Sequence, residues 1–245
     1  MMLSRILRAK APQRLEGEDN RARSSSRTHV GHVRTVNEDR ILDRPERRLW
    51  AVADGMGGHR SGDVAAQLAI DALDALDSPT SDTIIEALEA ANANLYNRGE
   101  AGERRSGTTI VAANMHGNIA EIFWAGDSRA YRIRDGELEL LTHDHSLVQG
   151  LMDAGALSAE EALRHPKANV ITRALGVEAQ IVIDRIRVTL QDGDLILLCS
   201  DGLSRTLGET APSASSLQDL ASLLIDRAIS RDGTDNASVV IAAPR

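Results

Sequence analysis

The sequence predicts an α+β sandwich in which packed antiparallel sheets carry helices on their outer faces. Three observations predict it: apolar runs mostly five to seven residues long, punctuated by Gly, Asn and Asp; helical spacing confined to blocks between groups of strands; and no internal repeat. Strict strand–helix alternation, the mark of a doubly wound parallel sheet, is missing.

In chain order, residues 1–27 hold seven Lys or Arg against three acidic residues, with Pro12 and the run Ser24-Ser25-Ser26. With no sustained apolar period, this stretch reads as a flexible basic extension, and residues 28–245 as one globular domain. Strand-like runs follow at 28–33, 49–53, 108–114, 119–125, 129–133, 182–188, 195–199 and 238–242. Turn signals at 114–118, Asp135-Gly136 and Asp192-Gly193 suggest antiparallel hairpins. Helical spacing appears at 63–76 (Val64, Leu68, Leu73, Leu76) and 81–96 (Ile84, Ile85, Leu88, Leu95). Shorter helices are expected at 147–154, 159–163 and 217–229.

The 245 residues are 42% hydrophobic and 26% charged, ordinary globular usage that excludes disordered and fibrous classes. Only five aromatics are present, so the core must be aliphatic and base stacking has little to work with. The net charge of −8 repels phosphate backbones and favours cations wherever carboxylates cluster. A nucleic-acid partner is therefore not expected. Cys199 stands alone, which rules out an internal disulfide or a thiolate cage and suits a reducing, cytoplasmic setting. The longest apolar runs are too short to cross a bilayer, and the first ten residues lack the apolar stretch of a signal peptide.

The chemistry is carried by aspartates at strand ends or beside glycine: Asp39, Asp54, Asp127, Asp201 and Asp235. Asp54, Asp127 and Asp201 each close an apolar run. One Asp-Gly after a strand is usually a turn, but five such sites in one acidic domain point to convergence. Converging carboxylates repel unless a cation lies among them, and hard oxygen donors select Mg²⁺ or Mn²⁺. Two such ions sharing a carboxylate and a water would supply a nucleophile for phosphoester hydrolysis.

The motifs Arg34-x-x-Asn37-Glu38-Asp39, Val52-Ala53-Asp54-Gly55-Met56-Gly57-Gly58-His59, Gly107-Thr108-Thr109, Ala125-Gly126-Asp127-Ser128-Arg129, Leu141-Thr142-His143-Asp144-His145-Ser146, Ser200-Asp201-Gly202-Leu203 and Asp235-Asn236 stand in order from about Thr28 to Ala242. Together they resemble the bacterial branch of the PPM, or PP2C-like, metal-dependent serine/threonine phosphatases. The resemblance implies a four-layer αββα sandwich with two Mn²⁺ or Mg²⁺ ions in a cleft at one end. On that pattern Asp54 bridges both ions, Glu38 and the Gly55 carbonyl serve one, and Asp201 and Asp235 hold the other. Asp127 with Asp201 matches a third, weaker site, and Arg34 matches the arginine that grips substrate phosphate. Arg34, Asp54, Asp201 and Asp235 are thus the expected catalytic set. Residues 144–168 match a flap beside the cleft. The implied substrates are phosphoserine and phosphothreonine proteins, and the implied partner is a cognate Ser/Thr kinase.

Departures are few. Met56 stands where animal-type members carry a His, which leaves the role of His59 open. Asp63 and Ser106 replace a common Glu and Met, without removing a ligand.

Two rivals merit testing. Residues 199–206 fit the C-x-x-G-x-x-R-[ST] loop of cysteine phosphatases, with Cys199 as nucleophile and Arg205 in the phosphate cradle. Asp201 would, however, put a carboxylate inside that cradle. A non-catalytic phosphoprotein-binding module could use the same carboxylates structurally. The run His143-Asp144-His145 reads as a polar loop, and Gly55-Met56-Gly57-Gly58 lacks the Gly-Lys-Ser/Thr of a nucleotide loop.

Overall fold

The computed structural model describes residues 23–57, 61–101 and 105–244. In chain order its elements are β1 (Arg23–His29), β2 (Asp39–Arg44), β3 (Leu49–Met56), α1 (Gly62–Asp74), α2 (Ser81–Glu100), β4 (Gly107–Thr108), β5 (Ile110–His116), β6 (Ile119–Ala125), β7 (Arg129–Arg134) and β8 (Glu137–Leu140). They are followed by α3 (Leu147–Asp153), α4 (Ala159–Leu163), β9 (Asp184–Thr189), β10 (Leu195–Cys199), α5 (Asp201–Ser204), α6 (Leu217–Arg231) and β11 (Ala237–Ala243).

The strands form two sheets, ordered β1-β11-β10-β7-β8 and β2-β3-β5-β6-β9, with β4 paired to β3. Every strand pairing in them is antiparallel. The period of two along each strand sorts side chains between cores. Trp50, Val52, Val111, Ile122, Ile196, Leu198 and Val240 interleave between the sheets. Their neighbours Leu49, Ala51, Ile110 and Phe123 face outward onto α1 and α2. On the other side, Leu197, Cys199, Val239 and Ile241 meet Leu220, Leu224 and Ile225 of α6. Each fully buried large aliphatic contributes about 1.5–3 kcal/mol of apolar burial. The result is the expected α+β sandwich, four layers deep.

Most predicted elements form close to their expected ranges, and the differences have physical causes. Residues 23–27, assigned above to the flexible extension, lie in β1, paired in register from Arg23↔Ala243 to His29↔Ala237. The segment RSSSRTH carries no apolar signal, because β1 is an edge strand held by backbone pairing and by side chains such as Thr28, whose hydroxyl meets Ser238 Oγ at 2.7 Å. Residues 30–33 leave the sheet. The rest of the proposed extension, 1–22, lies outside the described residues. β2 and β8 are further strands, whose charged sequences DRILDR and ELEL hid them. Asp135-Gly136 makes the β7–β8 hairpin with φ of 52° and 86°, the doubly positive turn that matches strand twist. Asp192-Gly193 does not make a hairpin, because it links β9 of one sheet to β10 of the other.

Candidate metal centre

The acidic residues gather because five strand ends meet at one end of the sandwich. Asp54 near the end of β3 pairs with Asp39 at the start of β2, with Glu38 immediately before it. Asp127 follows β6, Asp201 follows β10, and Asp235 precedes β11. Backbone clamps then fix each one. Thr109 donates from its backbone to Asp54 O at 2.9 Å while its hydroxyl accepts from Asp54 N at 3.2 Å, and Thr108 Oγ1 donates to the same carbonyl at 3.0 Å. The Thr109 hydroxyl also meets Ser128 Oγ at 2.7 Å, next to Asp127. The Gly-Thr-Thr motif therefore holds two acidic positions at once. Asn236 Oδ1 accepts from Glu38 N at 2.8 Å, and Asn236 Nδ2 donates to Val30 O and Val36 O, tying the Arg34–Glu38 loop to the Asp235 segment. Close approach at Gly55 and Gly62 completes the cradle: a Cβ on Gly55 would sit 2.1 Å from Gly62 O, and one on Gly62 would sit 2.7 Å from Glu38 Oε1.

Electrostatics mark the cluster as unfinished by protein atoms alone. Burial, reinforced by Asp39, Asp201, Asp127 and Asp235, drives the Asp54 carboxyl well above the usual range. Burial pushes Asp127 up to about 7, with Asp201 and Asp144 adding repulsion. Asp39 also rises to about 7 through burial, although Ser238 and Ser200 hydroxyls donate to its Oδ2 at 2.6 and 2.8 Å. Asp201 is raised by burial and by repulsion from Asp235, and is partly relieved by Arg205. Glu38 Oε1, Asp39 Oδ1, Asp127 Oδ1 and Asp201 Oδ1 are buried without any partner. Such orphaned anionic oxygens are costly unless a cation satisfies them, so the residues present fit divalent ions.

Among the described residues no three His, Cys, Asp or Glu side chains already form a cage around one point. Two arginines occupy part of the cluster. Arg34 Nη2 donates to Asp235 Oδ2 at 2.9 Å, and Arg205 Nη2 donates to Asp201 Oδ2. Each guanidinium holds one carboxylate oxygen; Asp201 Oδ1 stays unpartnered, while Asp235 Oδ1 accepts from Asn236 N at 2.9 Å.

Beside the centre, α3 and α4 form the predicted flap, each opened by a serine cap: Ser146 accepts from Gln149 N at 3.2 Å, and Ser158 forms a capping box with Glu161. A cavity of about 320 Å³ lies between these helices and the acidic residues Asp127, Asp144 and Asp201. At the flap's root Arg129 makes a bidentate pair with Asp144 at 2.7–3.1 Å. The run read as a polar loop thus does more than expected, and His145 is buried, not exposed. No spacing rule in the sequence links positions 129 and 144.

The cysteine mechanism finds no support. Cys199 is 0% exposed and packed in the outer core, burial pushes its thiol up, and Arg205 is turned to Asp201. His59 lies outside the described residues. Asp63 sits in the first turn of α1, 3.7 Å from Arg40.

A model of the family described as protein phosphatase 2C matches residues 28–232. The chain belongs to the protein phosphatase 2C family. That membership makes it a metal-dependent serine/threonine protein phosphatase. It is 38% identical over 234 residues to the serine/threonine phosphatase stp of Listeria welshimeri, covering 88% of this chain and 93% of that one. Among solved structures, PppA, described as a key regulatory component of T6SS in Pseudomonas aeruginosa, is 38% identical with a TM-score of 0.82, covering 90% of this chain and 96% of that chain. The catalytic domain of PstP in complex with two manganese ions is 36% identical with a TM-score of 0.77, covering 91% and 97%. The two-sheet sandwich and its flanking helices are thus shared with PP2C phosphatases that carry divalent metal.

Proposed function

We propose that this PP2C centre dephosphorylates phosphoserine and phosphothreonine in protein substrates through two Mn²⁺ or Mg²⁺ ions, held by Glu38, Asp54, the Gly55 carbonyl, Asp201 and Asp235. The observation that carries this assignment is the set of buried, unpartnered carboxylate oxygens on Glu38 and Asp201 around the strongly raised Asp54. Bound divalent ions supply a water of lowered pKa and neutralise charge on the phosphoryl oxygens. Asp54, paired with Asp39 across β2 and β3 and fixed at its backbone by the Gly-Thr-Thr clamp, would serve both ions. Arg34 is the phosphate-gripping group: its side chain is 52% exposed, and its guanidinium can exchange Asp235 for a phosphate in bidentate geometry. The flap cavity beside the centre has an apolar side formed by Val148, Met152 and Leu163.

The protein partner implied by such substrates is a Ser/Thr kinase whose phosphorylation this phosphatase reverses. A cytoplasmic location fits the single buried thiol, and no helix among the described residues is long and apolar enough to cross a membrane. The deciding experiment is hydrolysis of a phosphothreonine peptide by chelator-stripped protein with and without Mn²⁺. Turnover should require Mn²⁺, vanish in Asp54→Asn and persist in Cys199→Ser. Metal-independent turnover lost in Cys199→Ser would overturn the reading, and binding of phosphopeptide without turnover would favour the non-catalytic module.

A further inference from the structure

Asp127 and Asp201 are the pair that the family resemblance assigns to a third, weaker ion. Arg205 lies one helical turn beyond Asp201, at the end of α5, and its guanidinium donates to Asp201 Oδ2. All three line the cavity under the flap.

We infer that Arg205 is a resident cation standing in for a third metal ion between Asp127 and Asp201. The inference rests on the proposed centre, in which Asp201 serves a core ion. Asp201 has two oxygens to give. Its buried, unpartnered Oδ1 is the one left for the core ion, and Oδ2 is already bound by the guanidinium. The other carboxylate lining the cavity, Asp144, is also committed, since both its oxygens accept from Arg129. A third divalent ion would therefore meet Asp127 alone among the described acidic residues of the cavity, beside a positive charge of like sign. Mn²⁺ and Mg²⁺ are held by carboxylates and water, and a single carboxylate next to a guanidinium is a poor host. Because Arg205 is tethered to the helix that bears Asp201, its charge is present at any metal concentration.

The test is Mn²⁺ stoichiometry at equilibrium, read by the loss of the free-ion electron paramagnetic resonance signal during titration of the chelator-stripped full chain. Wild type is expected to bind about two ions per chain and Arg205→Ala about three, the extra one being lost in Arg205→Ala/Asp127→Asn. Arg205→Lys, which keeps a point charge, should stay at about two, separating charge from simple helix disruption. A count of about three in wild type, or of about two in Arg205→Ala, would overturn the inference. A wild-type count that Asp54→Asn fails to reduce would instead overturn the core centre on which the inference rests.

Discussion

His145 and Gly126 exchange two hydrogen bonds: His145 N donates to Gly126 O at 2.9 Å, and Gly126 N donates to His145 Nδ1 at 3.1 Å. That pair joins the root of the flap to the residue before Asp127. The ring's other nitrogen, Nε2, lies 2.9 Å from Arg173 Nη1 and 3.2 Å from Asp184 Oδ2, so the imidazole also touches the Arg173–Asp184 ion pair. Burial, then Arg173, holds the imidazole below its usual pKa, which keeps it neutral for this role. His145→Ala strands the buried Gly126 N–H and opens a cavity beside Trp124, whose indole stacks on the ring at 6.4 Å. A loss of about 2–4 kcal/mol is expected in urea unfolding. His145→Gln, which can present an acceptor, should recover part of it, and equal losses in both variants would refute the hydrogen-bond argument.

The raised carboxyls make a pH prediction for metal-free protein. Asp39 and Asp127 both titrate near 7 in the fold, against about 3.9 in an unfolded chain. The folded state therefore holds the extra protons, so the stability they confer is complete below about pH 4 and is lost as pH rises through about 7. In chelator-treated protein the melting temperature should fall between pH 5.5 and 8.5, and saturating Mn²⁺ should lessen that fall, because cations at Asp54, Asp201 and Asp235 offset the repulsion that helps raise both carboxyls. Asp127→Asn should flatten the metal-free slope. A melting temperature that rises over this window, with no response to Asp127→Asn, would contradict the assignment.

Legibility in the sequence tracked how each residue is held. Strands such as Leu195–Cys199, an unbroken apolar run, and Ile119–Ala125, broken only by Glu121, were readable because both faces are largely buried. β1 and β2 were not, because edge and rim strands are held by pairing and polar contacts that leave no apolar period. At the site, Asp54, Asp127 and Asp201 announced themselves as strand-end acids. Asp39 stood among the candidate acids, but its placement behind Asp54, under Ser200 and Ser238, depends on register between chain segments 161 and 199 positions apart. Arg205 drew attention only as part of a misleading cysteine-loop pattern, since its real partner lies four residues back on a helix too short to show periodicity.

Cys199 tests how inert that pattern is. The thiol is fully buried among Leu203, Leu224 and Val239, and burial raises its pKa, so little thiolate exists at neutral pH. Cys199→Ala removes one buried heavy atom and should cost about 1–2 kcal/mol while leaving turnover per folded molecule unchanged. Abolished turnover in a protein with a normal unfolding transition would show a chemical role that this packing does not provide.

Gly62 offers the sharpest probe of the cradle. It opens α1 against the end of β3, and an added Cβ would lie 2.7 Å from both Glu38 Oε1 and the Gly55 carbonyl carbon. Both groups belong to the proposed ligand set, and both are anchored at the backbone, Glu38 N by Asn236 and Gly55 N by Glu38 O at 3.2 Å, so relief must come by shifting the Gly55 peptide or swinging the Glu38 carboxylate. Gly62→Ala must therefore push two donors on the same ion while leaving Asp201 and Asp235, on the opposite sheet, in place. The Mn²⁺ concentration for half-maximal activity should rise by about tenfold or more, while turnover at saturating Mn²⁺ falls less. Equal loss of turnover at every metal concentration, with an unchanged Mn²⁺ midpoint, would separate Glu38 and Gly55 from metal binding.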